Sequence, residues 1–284
     1  MRLAILTPAP DNPRFADIWP RWHERLSPPL EAAGVVCEAR CWTDPGDLSG
    51  FDAVAPLLAW SYHLRQDDWT RLLDGFERDG VRTLNGLATL RWNTRKTYLA
   101  ELEAAGAPVV PTLFSDALTP AIVAEAHHRF GPQLIAKPQI SGGSHQTLRL
   151  NAGAAFEGGP DGLAMLQPYL PAVSGEGELS LFFFGGEYSH AIGKVAQAGD
   201  FRVQPQFGGA VHAITPPPEA FDAARKVLAA AARDFTYARI DLIRMPDGRL
   251  MLMELEVIEP DLYLEHAPDQ GAVFAAAMVR ALQK

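Results

Sequence analysis

The sequence has no apolar run of the roughly 18 residues that a membrane-spanning helix needs. Its start, Met1-Arg2-Leu3-Ala4-Ile5-Leu6-Thr7-Pro8, reads as a strand entering a turn, not as a secretory signal. Both absences predict a cytoplasmic protein with no membrane partner. Cysteine is scarce. The two present, Cys37 and Cys41, have the wrong spacing for a redox Cys-x-x-Cys pair and lack the partners of a zinc site. An excess of basic residues is missing too: the formal net charge is −9. That excludes nucleic acid as a main partner, because phosphate-backbone binding needs a basic surface. It leaves room for a single nucleotide held by a few local Lys and Arg side chains. No Walker-type Gly-Lys-Ser/Thr loop occurs, and the eight histidines are scattered, with no convincing Ser-His-Asp or Cys-His set.

What is present is a long alternation of apolar runs and helical patterns. At 284 residues the chain has room for about two domains. Leu3 to Leu6, Val35 to Trp42, Ala53 to Leu58 and Val81 to Leu84 read as strands, with helices over 15–33 and 67–78. Strands alternating with helices predict a mostly parallel sheet. Helices follow over 93–105 and 119–129, with strands at 109–114 and 134–137. After about residue 160 the pattern changes. Leu179 to Phe184 and Glu187 to Gly193 flank Gly185-Gly186, a hairpin signal. A helix covers 217–233, strands at 237–244 and 249–257 flank Pro246-Asp247-Gly248, and a helix over 269–282 closes the chain. The expectation is α/β followed by α+β, in two or three subdomains with clefts between them.

The second hairpin carries the acids. In Tyr237-Ala238-Arg239-Ile240-Asp241-Leu242-Ile243, Arg239 and Asp241 share one face. In Met253-Glu254-Leu255-Glu256-Val257, Glu254 and Glu256 share a face. A two-residue loop at Asp247-Gly248 places Asp241 opposite Glu254, with Cβ atoms about 5 Å apart. Pro246 favours a longer turn, which would shift this by one. Opposed carboxylates need a partner or a metal, and Mg²⁺ takes such hard oxygen ligands. A solvated face with Arg239 pairing one acid is the alternative reading.

Other segments are individually weak. Lys137 ends an apolar strand and is followed by Ser141-Gly142-Gly143-Ser144, whose small residues let backbone N–H groups approach phosphate. Lys96 falls in the first turn of the helix expected from Asn93, against the helix dipole unless an anion lies nearby. Met165-Leu166-Gln167-Pro168-Tyr169-Leu170 is an apolar strand running into proline, suited to a hinge. Lys194 and Arg202 flank Gly199-Asp200, with Gly208-Gly209 beyond. A turn, a solvated lysine, an ordinary strand end and a surface loop are the respective plain readings.

Their order resembles the ATP-grasp superfamily: two lysines, a glycine loop, a Gln-Pro-aromatic-Leu hinge, a glutamate, a basic loop, then Asp…Glu-x-Glu. The resemblance covers about residues 90–284. Lys137-Pro138, Gly142-Gly143 and the Lys194/Arg202 pair are similar to the bacterial glutathione synthetase branch. That branch has Glu-x-Asn where this chain has Glu254-Leu255-Glu256. Arg91-Trp92-Asn93-Thr94, Gly177-Glu178-Leu179-Ser180, Phe184-Gly185-Gly186, Ser189-His190-Ala191 and Glu259-Pro260 are similar to the D-cycloserine synthetase type. Trp60-Ser61-Tyr62-His63-Leu64-Arg65 also resembles that type, with serine where aspartate is expected at position 61.

The resemblance implies an ATP-grasp fold: an N-terminal parallel α/β domain (1–90), a central lid subdomain (91–170) and a C-terminal antiparallel subdomain (171–284). It implies an ATP- and Mg²⁺-dependent carboxylate–amine ligase acting through an acylphosphate. Lys96 and Lys137 would hold phosphates under the Ser141, Gly142 and Gly143 loop. Gln167, Tyr169 and Leu170 would meet adenine, and Glu178 the ribose. Asp241, Glu254 and Glu256 would hold Mg²⁺. Arg202 and Lys194 would stabilise the transferring phosphoryl group. Tyr62, His63, Arg239, Gly208 and Gly209 are candidate contacts for a small amino-acid-like substrate. Cyclisation, intermolecular ligation and a non-catalytic ATP-binding regulator are the open functional readings. A homodimer is the expected assembly.

Overall fold

The computed structural model describes residues 1–197, 199–203 and 205–284. The chain begins with β1 (Arg2–Thr7), short α1 (Pro13–Ala16), α2 (Trp19–Ala32), β2 (Val36–Cys41), β3 (Ala53–Ala55) and α3 (Gln66–Arg78). The three strands form a parallel sheet in the order β2-β1-β3. Helix α3 forms because Trp69, Leu73 and Phe76 recur at helical spacing and are buried, while Asp67 and Asp68 favour its N-terminal dipole. The helix expected over 15–33 is interrupted into α1 and α2. The strand expected at 81–84 is reduced to one isolated bridge, Val54 with Thr83.

Next come α4 (Leu87–Thr94), α5 (Tyr98–Ala104), β4 (Leu113–Ser115), α6 (Pro120–Phe130), β5 (Gln133–Pro138), β6 (Leu148–Asn151) and β7 (Ala164–Pro168). Four of these strands make a sheet in the order β4-β7-β5-β6. The single helix expected over 93–105 is two. Arg95 adopts an extended conformation between them, and Lys96 stands in the break, not in a helical first turn. Its backbone N–H donates to the Gln139 carbonyl (2.8 Å).

The third sheet comprises β8 (Glu178–Phe184), β9 (Glu187–Val195), β10 (Ala210–Ala213), β11 (Tyr237–Arg244) and β12 (Leu250–Glu256). Helices α7 (Pro218–Ala231) and α8 (Ala272–Leu282) flank it. Its order is β10-β9-β8-β11-β12, all antiparallel. Alternation divides its faces. Leu179, Leu181 and Phe183 of β8, with Ala238, Ile240 and Leu242 of β11, pack in one core with α5 and α7. Burying each large apolar side chain there stabilises by about 1.5–3 kcal/mol. On the opposite face, Phe182, Phe184 and Tyr237 lie against Phe274 and Met278 of α8 and against Leu3 and Ile5 of the first sheet. Asn85 ties the first unit to the third sheet. Its amide donates to the Tyr237 and Val257 carbonyls and accepts from Thr236 and Tyr237 N–H.

Candidate active site

Only part of that second face is apolar. Beyond the aromatic residues under α8 it becomes polar, and strand register fixes which side chains meet. Ser180 lies opposite Asp241 and Phe182 opposite Arg239. Glu178 lies opposite Lys194. Across β11 and β12, Asp241 lies opposite Glu254 and Arg239 opposite Glu256. These polar residues floor a cavity of about 500 Å³. Segments from all three sheets line it: Tyr62 and His63, Lys137 with the Ser141–Ser144 loop, and the acid face.

The pairing of Asp241 with Glu254 is the one expected, but it arises differently. The turn is longer than two residues, with Met245 N–H donating to the Arg249 carbonyl. Near the turn, Arg244 therefore faces Leu250 and Leu242 faces Leu252. A bulge at Met253 of β12, opposite the Asp241–Leu242 step of β11, leaves Met253 without a partner and restores the register. Without that bulge Asp241 would face Met253, and both glutamates would turn to the other side of the sheet.

The acids are held in ion pairs. Asp241 accepts from Arg239 Nε (3.0 Å), from Lys194 Nζ (3.3 Å) and from Ser180 Oγ. Burial opposes its charge, but Arg239 and Lys194 overcome that and hold its carboxyl below the usual carboxylate range. Arg239 also pairs with Glu256. Lys194 pairs with Glu178. Burial alone would lower the Lys194 affinity for its proton, yet Asp241 and Glu178 raise it. Lys96 Nζ pairs with Glu254 (3.0 Å) and donates to the Ser141 carbonyl (2.7 Å).

Lys137 differs. Its side chain is 9% exposed and makes no hydrogen bond or ion pair among the described residues. Burial and the neighbouring Lys96 ammonium outweigh the pull of Glu254, Glu178 and Asp241, and depress its proton affinity. The loop packs closely on its neighbours at Gly142. A Cβ there would lie 3.2 Å from His63 Nδ1 and 3.5 Å from Glu259 Oε1.

Most residues singled out from the sequence line this cavity: Tyr62, His63, Lys96, Lys137, Ser141, Gly142, Gly143, Gln167, Tyr169, Leu170, Glu178, Lys194, Arg202, Arg239, Asp241, Glu254 and Glu256. Gly208 and Gly209 do not. Gly208 instead packs under the Gln197 side chain. Gln167 faces the cavity but donates its amide to Thr112 Oγ1 (2.9 Å). Arg202 is bound to its neighbour Asp200 (2.7 Å) and lies 3.8 Å above the Phe207 ring. It must leave that carboxylate to act on a ligand. Among the described residues no three His, Cys, Asp or Glu side chains are grouped as a metal cage, and Lys96, Lys194 and Arg239 pair with the acids. The donor set nonetheless suits Mg²⁺. Burial, reinforced by Glu254 and Asp241, pushes the Glu256 carboxyl well up despite Arg239, and a divalent cation beside these carboxylates would oppose that shift.

Sequence reasoning missed Arg14, Phe15, Ile18 and Trp22 of the α1–α2 region, and Asp261 and Tyr263, as cavity residues. The clustering of aromatic residues over 15–22 was the available signal.

Comparison with known proteins places this geometry. The N-terminal domain family of D-cycloserine synthetase DcsG matches residues 3–85. The cycloserine biosynthesis protein DcsG of Streptomyces lavendulae is 30% identical, over 99% of each chain. A glutathione synthetase of Ralstonia nicotianae is 25% identical over 92% of this chain and 81% of its own. The crystal structure of D-cycloserine synthetase DcsG matches with a TM-score of 0.82 and 29% identity, covering 99% of this chain and all of that one. The ATP-grasp ligase PsnB shares the fold at a TM-score of 0.63 and 18% identity, covering 99% of this chain and 98% of its own. The three-sheet architecture, the cavity between the sheets and the full-length similarity together establish that this chain belongs to the D-cycloserine synthetase family of ATP-grasp carboxylate–amine ligases.

Proposed function

We propose that the protein transfers the γ-phosphoryl group of ATP to the carboxylate of an amino-acid-like substrate, and that a nitrogen nucleophile then displaces phosphate. The observation that carries this reading is Lys137, a buried ammonium without a partner among the described residues, facing the cavity. A buried, uncompensated cation suits an anionic ligand such as a polyphosphate. Lys96 joins it from the α4–α5 break. The loop at Gly142-Gly143 brings backbone close to the same space. Tyr169 and Leu170 follow β7, where backbone groups and the apolar walls of Ile135, Val110 and Met253 suit a purine.

Asp241, Glu254 and Glu256 are the residues that would hold Mg²⁺, which supplies positive charge to the triphosphate. Arg239 and Lys96 keep these carboxylates ordered, and must give up part of their ion pairing to admit the metal. Arg202, once released from Asp200, and Lys194 would neutralise charge on the transferring phosphoryl group. Such chemistry needs positioning and charge neutralisation more than a protein nucleophile.

The similarity to D-cycloserine synthetase over the full length supports intramolecular attack, in which carboxylate and nitrogen belong to one substrate and a small ring results. Ser61, at the cavity wall, supports a substrate distinct in detail. The test is ADP and phosphate release with Mg²⁺ across amino acids and O-substituted serines, with product masses read in parallel. Wild-type turnover that is lost in Glu254→Gln supports the reading. AMP and diphosphate as products, or no release with any substrate, contradicts it.

A further inference from the structure

We propose that the end of the cavity lined by residues 14–63 is a subsite for the protonated amino group of the substrate. Glu259 and Asp261 are its counter-charges, and Phe15, Trp22 and Trp60 are its walls. This deepens the ligase reading and rests on it for the identity of the ligand.

Glu259 is exceptional among the acids of the site. Glu178, Asp241, Glu254 and Glu256 each have a lysine or arginine partner. Glu259 lines the cavity and has no hydrogen bond or ion pair among the described residues. Its carboxyl and the His63 ring both border the space a Cβ at Gly142 would fill. His63 cannot serve as the missing cation. Burial, with His145 and Lys96 nearby, pushes it down to about 4, so it is neutral near pH 7. Its buried Nδ1 also lacks a partner among the described residues. Arg239 and Lys96 face the same region but are committed to Asp241, Glu256 and Glu254. Burial, only partly offset by Arg239, raises the Glu259 carboxyl to about 8. A cationic ligand would reverse that shift.

Asp261 extends the acidic surface two residues further on. Its Oδ2 accepts from Trp22 Nε1 (2.9 Å) and its Oδ1 from the Tyr263 N–H (3.1 Å). Among the described residues no cationic side chain pairs with its carboxylate; Arg239 reaches only its backbone carbonyl (3.4 Å). The indole that holds Asp261 belongs to an aromatic group. Trp22 meets Trp60 edge-on at 5.6 Å, and Phe15 lies 5.3 Å from Trp60. Acid groups beside half-buried aromatic rings form a setting that favours an ammonium group, through charge and the ring quadrupole together. Arg14, exposed at the rim, pairs with neither acid.

The experiment compares an amino-acid substrate with its desamino analogue in wild type, Glu259→Gln and Asp261→Asn, by phosphate release and by calorimetric binding without ATP. Both substitutions keep shape, and Asp261→Asn keeps one acceptor, enough for either the Tyr263 N–H or the Trp22 indole N–H. The expected result is a KM for the amino acid raised at least about tenfold in each variant, with the KM for ATP within about twofold. Wild type should bind the desamino acid at least about tenfold more weakly than the amino acid, and the variants should bind it as wild type does. Equal use of both ligands by wild type overturns the proposal. So does a loss confined to kcat, or weakened Mg²⁺ binding in Glu259→Gln with amino-acid affinity unchanged. If no carboxylate elicits phosphate release, the ligase reading fails. The subsite is then decided by calorimetry alone: preference for the amino acid, abolished in both variants, supports it, and absence of that preference overturns it.

Discussion

Replacing Lys137 by methionine should make the protein more stable and less able to hold nucleotide. The lysine is 9% exposed, has no partner among the described residues, and has its proton affinity depressed by burial. The sign follows from linkage. A lysine whose folded-state affinity for the proton is lowered binds that proton more tightly in the unfolded chain. At neutral pH its charge therefore opposes folding, and stability rises only as the pH climbs toward the unfolded-state value. Methionine keeps most of the aliphatic length and removes the charge. Replacing an uncompensated buried ion by an apolar side chain of similar size gains on the order of 1–2 kcal/mol. For a chain of this size that raises Tm by roughly 2–6 °C. The same substitution removes the free cation offered to the phosphates, and kcat/KM for ATP should fall by about 10²–10³. Differential scanning calorimetry of the ligand-free protein, with titration calorimetry of a non-hydrolysable ATP analogue and Mg²⁺, reads both quantities. A lower Tm with unchanged nucleotide affinity would refute the assignment of Lys137 as a preorganised anion ligand.

Three further outcomes follow from the packing. Asn85→Ala strips partners from buried backbone groups of Thr236, Tyr237 and Val257, and should cost about 3–5 kcal/mol in urea unfolding. Gly177→Ala should cost at least about 2 kcal/mol, since φ is +85° and a Cβ would lie 2.3 Å from the Lys194 carbonyl oxygen. An unchanged urea midpoint would contradict that packing. In metal-free protein, Glu259→Gln should gain stability relative to wild type between pH 5 and pH 8, by on the order of 2 kcal/mol. Glu259 is raised to about 8, so through that window the unfolded chain releases a proton that the folded chain still holds, and wild type loses stability as pH rises. A pH-independent difference would sink this reading.

The fold and much of the cavity were legible because they rest on local patterns. Period-two alternation in β8 and β11 assigned their two faces, and the acidic positions of β12 could be read from Glu254-Leu255-Glu256. The convergence of Asp241 with Glu254 was reached through a two-residue turn that does not form. The longer turn and the bulge at Met253 cancel, and nothing in the local sequence announces that cancellation. Lys96 was placed on a helix because 87–104 contains no proline or glycine to mark the break. At the break its N–H donates instead to the distant Gln139 carbonyl, a partner that local sequence does not reveal. The aromatic cluster over 15–22 hinted at Phe15 and Trp22, but nothing local joins them to Asp261, since only tertiary packing brings the first helices against the segment after β12. Gly208 and Gly209 do not line the cavity although Arg202 and Gln206 of the same loop do, because the local sequence does not say which residues of a loop turn inward.

The most direct test of the central claim uses substrate labelled with ¹⁸O in its carboxylate, incubated with ATP and Mg²⁺. If the carboxylate takes the γ-phosphoryl group and nitrogen then displaces it, one ¹⁸O must leave with the phosphate, and mass spectrometry should find singly labelled phosphate in step with product. Product formed together with unlabelled phosphate would contradict the account.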